Sequence, residues 1–241
     1  LNMSHLGIIV GDGDNADGNL SCADDFSVTV TNPGPCLEPT TTTTTSTSTS
    51  TTTSTTTTTL PDASLCGAAP EVACRLNDAA PGKSDIKIST RTAGKHSLRY
   101  KLYKGTGVDP TAVGDPTLAT TNYELCLYDN RGLALQAPIA GAGTCDGDDC
   151  WKVQGPGFRY DNNAGNDAGI TEAKVVASGS DGKAVILVKG GGAGFTGPML
   201  PIVGPLTAQF LADTPDGLEC WQIVFTDPAK TTGTDFKAKA P

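Results

Sequence analysis

The chain has 241 residues and a net charge of −9, with 37% hydrophobic, 18% charged and only 5% aromatic residues. That length allows one or two domains, and no run approaches the roughly 18 apolar residues a membrane-spanning helix needs. Excess acid without an evident basic patch argues against a nucleic-acid partner.

The first 39 residues carry Asp12, Asp14, Asp17, Asp24, Asp25 and Glu38 and no Lys or Arg, so this head holds −6 of the total −9 and the rest of the chain −3. Two apolar runs stand out. Leu6, Ile8, Ile9 and Val10 form a near-continuous run around Gly7, suited to a strand buried on both faces. Phe26, Val28 and Val30 alternate with Ser27, Thr29 and Thr31, which suits a strand with one buried face. Cys22 and Cys36 bracket that second strand and are expected to pair. Two strands and one disulfide fall short of a self-sufficient core. The strands therefore need another sheet: a second copy of the chain, the chain's own C-terminal body, or an upstream domain of which the head is a remnant. Between the strands, Asp12, Asp14 and Asp17 sit in a Gly-rich loop. Such a loop reads either as a solvated acidic turn or as a calcium site, although Ala16 and the missing distal Glu exclude an EF-hand. No other cofactor is expected.

Residues 40–59 are all Thr or Ser. A run without apolar side chains cannot offset the entropy of ordering. It reads as an O-glycosylated stalk or a bare flexible spacer. The candidate glycosylated threonines are Thr40, Thr41, Thr42, Thr43, Thr44, Thr45, Thr47, Thr49, Thr51, Thr52, Thr53, Thr55, Thr56, Thr57, Thr58 and Thr59. Fully extended, the run reaches up to about 66 Å.

Residues 60–241 read as an all-β body. Strand patterns fall at 85–90, 97–104, 121–128, 132–137, 150–154, 170–177, 183–189, 206–212 and 218–226. Turn clusters such as Asp129-Asn130-Arg131-Gly132, Gly155-Pro156-Gly157 and Asp216-Gly217 separate them. This spacing predicts a β-sandwich or jelly roll. Alternation puts Leu98, Tyr100 and Leu102 on one face of their strand, and Tyr123, Leu125 and Leu127 on one face of theirs. The apolar run 184–188 is expected at the centre of a sheet.

The eight cysteines are even in number and none has the CxxC spacing of a zinc ribbon or redox site. With a Thr/Ser run beside them they imply a disulfide framework, an oxidising compartment and an extracellular or cell-surface location. Cys126 and Cys220 both lie on the less apolar face of their strands, so Cys126–Cys220 is expected to bridge neighbours. Cys66–Cys74 is expected to close a loop near the stalk, and Cys145–Cys150 to close Asp146-Gly147-Asp148-Asp149. The chain begins at Leu1 without a signal peptide, as a processed chain or a fragment would.

A set of motifs runs through the body: Tyr123-Glu124-Leu125-Cys126-Leu127-Tyr128-Asp129, Cys150-Trp151-Lys152, Gly157-Phe158-Arg159-Tyr160, Asp167-Ala168-Gly169-Ile170, Lys183-Ala184-Val185-Ile186, Cys220-Trp221 ahead of Phe225, and Phe236-Lys237-Ala238-Lys239. Together they resemble a β-domain that recurs in secreted proteins of environmental bacteria after cysteine-rich or Thr-rich segments. The resemblance covers roughly residues 84–240. It implies the fold and the compartment and carries no activity.

Catalytic patterns are missing. The two histidines, His5 and His96, lie on opposite sides of the Thr/Ser run, and there is no GxSxG elbow, HExxH, Walker A or GxGxxG loop. His96 reads as an exposed turn residue and the Gly-rich run 190–198 as a hairpin loop. Asp146, Asp148, Asp149, Asp161 and Asp167 read as surface acids. The sequence thus predicts no enzyme. It predicts an extracellular structural or adhesive protein, a fibre subunit whose head strands dock into a neighbouring copy. The alternative is a stalk-tethered binding module, for carbohydrate if its aromatics stand exposed in a row.

Overall fold

The computed structural model describes residues 64–76 and 83–241, all within one unit, Thr57–Pro241. The head strands, the calcium candidates Asp12, Asp14 and Asp17, the pair Cys22–Cys36 and the Thr/Ser run lie outside the described residues.

Among the described residues, fifteen strands and one 3-10 turn follow in chain order. They are β1 (Arg75–Leu76), β2 (Asp85–Ser89), β3 (His96–Gly105), the 3-10 turn Pro110–Val113, β4 (Asn122–Asp129), β5 (Gly132–Ile139), β6 (Thr144–Cys145), β7 (Asp148–Asp149), β8 (Trp151–Gln154), β9 (Gly157–Asp161), β10 (Ile170–Val176), β11 (Ala184–Gly192), β12 (Leu206–Thr214), β13 (Gly217–Phe225), β14 (Pro228–Thr231) and β15 (Asp235–Lys239). A five-stranded sheet runs β1-β13-β12-β4-β5 and an eight-stranded sheet runs β14-β15-β2-β3-β11-β10-β9-β8. β6 and β7 form a separate hairpin.

Each strand's alternation explains its place. Tyr123, Leu125 and Leu127 of β4, Ala208 and Phe210 of β12, and Trp221, Ile223 and Phe225 of β13 turn inward from the five-stranded sheet. Ile86 and Ile88 of β2, Leu98, Tyr100 and Leu102 of β3, and Ile186 and Val188 of β11 turn inward from the larger one. All belong to a single buried cluster, so the two sheets are the layers of a β-sandwich. Each fully buried large side chain contributes about 1.5–3 kcal/mol. The 3-10 turn is started by Asp109, whose carboxylate accepts from the Thr111 backbone N–H at 2.9 Å. Val113, at its end, is buried and its carbonyl accepts the Tyr123 hydroxyl at 2.7 Å.

Two side chains in this core lack a partner: the Tyr100 hydroxyl and the Trp221 indole N–H make no hydrogen bond among the described residues. Burial pushes the Tyr100 phenol well above its ordinary range, because an anion there would be unsolvated. Burying an unsatisfied hydroxyl costs about 1–3 kcal/mol. Tyr100→Phe is therefore expected to raise the unfolding free energy by about 1 kcal/mol. Chemical denaturation tests this, and a loss of stability would point to a partner for the hydroxyl.

All nine segments read as strands from the sequence are strands, and β11 is central, fifth of eight. The run 190–198 is less of a loop than its composition suggests. Gly190 to Gly192 continue β11, and Phe195 folds back into the core at 1% exposure. Gly169 makes room for it: at φ +73° it sits so close that a Cβ would lie 2.5 Å from the Phe195 backbone. His96 opens β3 half-buried, with Nδ1 3.1 Å from the Phe195 carbonyl, a contact that places the hydrogen on Nδ1.

The disulfides correct the expected pairing. Cys66 bonds Cys126 and Cys74 bonds Cys220, so neither Cys66–Cys74 nor Cys126–Cys220 forms. The reason is topological. Cys126 of β4 faces Gln209, and Cys220 of β13 faces Leu211, because β12 runs between the two strands. Two strand spacings, about 9.5 Å, exceed the Cα separation a disulfide spans. Both cysteines do lie on the outer, less apolar face, and there residues 64–76 cross the sheet and bond to each. Cys145 bonds Cys150 and closes the β6–β7 hairpin.

Hydrogen bonds seat this crossing segment. Glu124, 2% exposed on the outer face of β4, accepts the Leu65 N–H at 2.6 Å, the Ser64 hydroxyl at 3.1 Å and the Cys66 N–H at 3.3 Å. Gln209 exchanges bonds with the Glu71 backbone at 2.9 and 2.7 Å. Glu124→Ala leaves the Leu65 N–H unpaired, while the Cys66 N–H keeps its bond to the Ser64 hydroxyl at 3.1 Å, and is expected to cost about 1–3 kcal/mol. Denaturation measures the loss, and faster amide exchange confined to Leu65 and Cys66 would locate it.

Candidate functional site

Two surface features follow from this architecture: an uncharged sheet edge and a basic face that no described residue covers. At the ends of the two sheets stand β1, β5, β14 and β8. β1, β14 and β8 are two to four residues long and carry Arg75, Lys230 and Lys152. Short length and a base are the usual means of keeping an edge from pairing with another chain. β5 lacks both. It is eight residues long, Gly-Leu-Ala-Leu-Gln-Ala-Pro-Ile, without a charge, and among the described residues pairs only with β4. One end is closed: Pro138 has no N–H, and its carbonyl accepts the Asn166 side-chain amide at 2.6 Å. The open stretch is 132–137, where Leu133 and Gln136 are exposed.

The turn that starts β5 is held firmly. The buried Asp129 carboxylate takes the Arg131 guanidinium, the Arg131 N–H at 2.8 Å and the Val203 N–H at 3.1 Å. Burial alone pushes Asp129 up, but these donors together hold it below the ordinary carboxylate range. Arg131 also donates to the carbonyls of Met199 and Pro201.

The second feature is electrostatic. The bases concentrate on the outer face of the eight-stranded sheet, where register puts them side by side. One transverse row reads Lys230, Lys237, Lys87, Arg99, Lys189, each directly opposite the next across β14, β15, β2, β3 and β11. A second row reads Lys239, Asp85, Lys101, Leu187, Lys174, Arg159, Lys152. These ten bases are offset by Asp85, Asp161, Glu172 and Asp235 on the same surface and by Asp148, which pairs with Lys152 at 3.3 Å, leaving +5. Arg99 pairs with Asp85, Arg159 with Asp161, Lys189 with Glu172 and Lys230 with Asp235. Lys87, Lys101, Lys174, Lys237 and Lys239 form no ion pair among the described residues; Lys101 lies over the Tyr103 ring at 4.0 Å. The five-stranded sheet is the opposite, with Glu124, Asp129, Asp213 and Glu219 against Arg75.

At one rim of the basic face Asp235 gathers Arg91 at 2.6 Å, Lys230 at 3.0 Å, and the hydroxyls of Ser89 and Thr234 at 3.1 Å. The Arg91 hydrogen bond, above all, holds its carboxyl far below the usual range, with Lys230, Thr234 and Ser89 adding to it against burial. A depressed folded pKa contributes stability that is fully present above the unfolded value near about 4 and is lost as pH falls below it. Denaturation curves from about pH 7 to about pH 2 are expected to show stability falling on acidification, less steeply in Asp235→Asn. An unchanged slope in that variant would assign the acid sensitivity to other carboxylates.

Catalytic geometry is sparse. No group of three or more His, Cys, Asp or Glu among the described residues is arranged to hold a metal ion. Asp146, Asp148, Asp149 and Asp167 are exposed, and Asp161 is half-buried beside Arg159. A groove of about 380 Å³ beside the Cys145–Cys150 loop is lined by Thr117, Ala142, Gly143, Asp149, Trp151, Lys152 and Val153. Trp151 and Trp221 are each 2% exposed, and Tyr100, Tyr123, Tyr128 and Tyr160 are buried. Among the described residues no row of exposed aromatics offers a sugar a stacking surface.

The basic face escaped the sequence reading because its bases are scattered along the chain. The usable signal was the short alternations Asp85-Ile86-Lys87-Ile88, Arg99-Tyr100-Lys101 and Lys237-Ala238-Lys239, which put bases opposite the buried face. No helix among the described residues is long and apolar enough to cross a membrane, and three disulfides fit an oxidising compartment. No known protein family, curated protein or solved structure matches the chain.

Proposed function

We propose that this is an extracellular structural or adhesive protein, a fibre subunit whose N-terminal head docks into a neighbouring copy. The observation that carries the reading is β5: an eight-residue, uncharged edge strand on a disulfide-stapled sandwich. It is matched in the same chain by Leu6, Ile8, Ile9, Val10, Phe26, Val28 and Val30, which read as strands without a core of their own. Adding a strand to an exposed edge joins copies through main-chain hydrogen bonds, and when the contact does not close on itself it builds a filament. The mechanism is mechanical and needs no cofactor. A glycosylated Thr/Ser run would hold head and body apart and favour docking between copies.

Electron microscopy of the purified full chain tests this. Filaments with a regular bead repeat are expected, and their loss in Leu133→Lys with Gln136→Lys, which places charge on the open part of β5. Monodisperse wild-type monomers would overturn the reading. The alternative, a carbohydrate-binding module, has no exposed aromatic platform in the described body to support it.

A further inference from the structure

We infer that the outer face of the eight-stranded sheet is a docking surface for the acidic head, residues 1–39, of a second copy. This rests on the assembly reading above and adds to it the surface that captures the head. Three observations lead there.

The first is a local conflict. Lys230, Lys237, Lys87, Arg99 and Lys189 stand directly opposite one another on five adjacent strands. Like charges in directly opposed positions destabilise a sheet, and only three of these five have a carboxylate partner. Nothing within the sandwich requires a base at Lys87 or Lys237, both of which are exposed. An anionic partner would turn the repulsion into attraction.

The second is complementarity. The face carries +5, and the head carries −6 with no base of its own. Alongside the second row lie half-buried apolar side chains, Tyr103, Val185 and Val176 in register, and within it Leu187 stands between Lys101 and Lys174. A partner that interleaves carboxylates with apolar residues fits this surface better than a uniformly charged one, and the head interleaves them. The other sheet's outer face is already crossed by residues 64–76, whereas no segment among the described residues crosses the basic face.

The third is reach. Eight strands at about 4.8 Å span roughly 34 Å. The Thr/Ser run extends to about 66 Å. Residues 12–25, which hold five of the six acids, extend to about 46 Å. A head whose second strand adds to β5 can therefore still bring its acidic loop to the basic face, since packed sheets lie about 10 Å apart.

The test uses the full chain in sedimentation velocity. The Debye length is about 30 Å at 0.01 M salt and about 3 Å at 1 M, so association is expected to weaken at least about tenfold between these conditions. Lys87→Glu with Lys237→Glu should stay monomeric and melt no lower than wild type, because the two Glu, though opposite each other, leave two like-charge contacts along the row in place of four. A head variant with Asp12, Asp14, Asp17, Asp24 and Asp25 all changed to Asn should also stay monomeric. Mixed, the two should form a heterodimer and stop there, since one can only donate its head and the other only accept it. Filaments from the Lys87/Lys237 variant equal to those of wild type would overturn the face assignment and leave the assembly reading standing. Failure of the mixture to form a heterodimer would also overturn it. A wild type that is monomeric at both salt concentrations would remove both readings. If that monomer binds a sulfated polysaccharide column through Lys87 and Lys237, the face belongs to an anionic polysaccharide instead of the head.

Discussion

Removing the Cys74–Cys220 disulfide by paired serine substitution is expected to lower the unfolding free energy by about 5 kcal/mol, enough to unfold a typical domain at physiological temperature. The bond closes a loop with a sequence separation of 146, and in the chain-entropy account a cross-link stabilises by restricting the unfolded chain more as the loop lengthens. The same account gives about 4 kcal/mol for Cys66–Cys126, with a separation of 60, and about 2 kcal/mol for Cys145–Cys150, with a separation of 5. The ranking is the informative part. Denaturant unfolding of the three double-serine variants should place Cys145–Cys150 well below the other two. If its loss were the most damaging, native-state packing around the β6–β7 hairpin, not loop entropy, would govern.

Trp151→Ala is the second large effect, with an expected loss of about 4–5 kcal/mol. Trp151 belongs to β8 of the larger sheet, yet its ring lies 5.3 Å from Tyr123 of the smaller one and 5.3 Å from Tyr160 of β9. Its indole N–H donates to the Ala140 carbonyl at 2.9 Å. Truncation removes a buried ring that joins the two layers and strips the carbonyl of its donor. Tyr123 in turn stacks on Phe210 at 5.3 Å, and Phe210 approaches Trp221 at 6.2 Å, so the cavity opens within an aromatic chain and parts Tyr160 from Tyr123. Trp151→Phe keeps most of the volume and should cost only about 1–2 kcal/mol. Equal losses from the two variants would mean that the hydrogen bond, not the packing, carries the effect.

The long strands were legible because each repeats its apolar residues with period two. In β4 and β12 the inward set is apolar over several repeats, and no helical spacing competes. β9 and β15 were not read as strands, although Gly157-Phe158-Arg159-Tyr160 and Phe236-Lys237-Ala238-Lys239 stood out as motifs. Each offers only two apolar side chains, too few to set a period, and their pairing with β10 and β2 supplies what the local pattern lacks. β14 begins with Pro228 and β1 spans two residues, so neither carries a signal. Disulfide pairing was illegible for another reason. The face of Cys126 and Cys220 follows from alternation, but their neighbours depend on β12 lying between them, and sheet order is a property of the whole chain. The basic face shows the same division: alternation reveals that Lys87 or Lys237 points outward, and only register reveals that they stand together.

The segment crossing the smaller sheet also defines how a pull on the protein would be borne. Tension arriving from the N-terminal side reaches Cys66 and passes through a covalent bond to Cys126 in β4, between β12 and β5. It does not peel β1 from the edge of β13, which would be the first break if residues 64–76 were held by hydrogen bonds alone. The load enters the body inside the sheet, where yielding requires β4 to shear from both neighbours at once. An anchor of this kind sets the rupture force by the strength of a sheet interior; reducing Cys66–Cys126 alone would pass the load to Cys74–Cys220 in β13, and only loss of both bonds would leave an edge that opens like a zip.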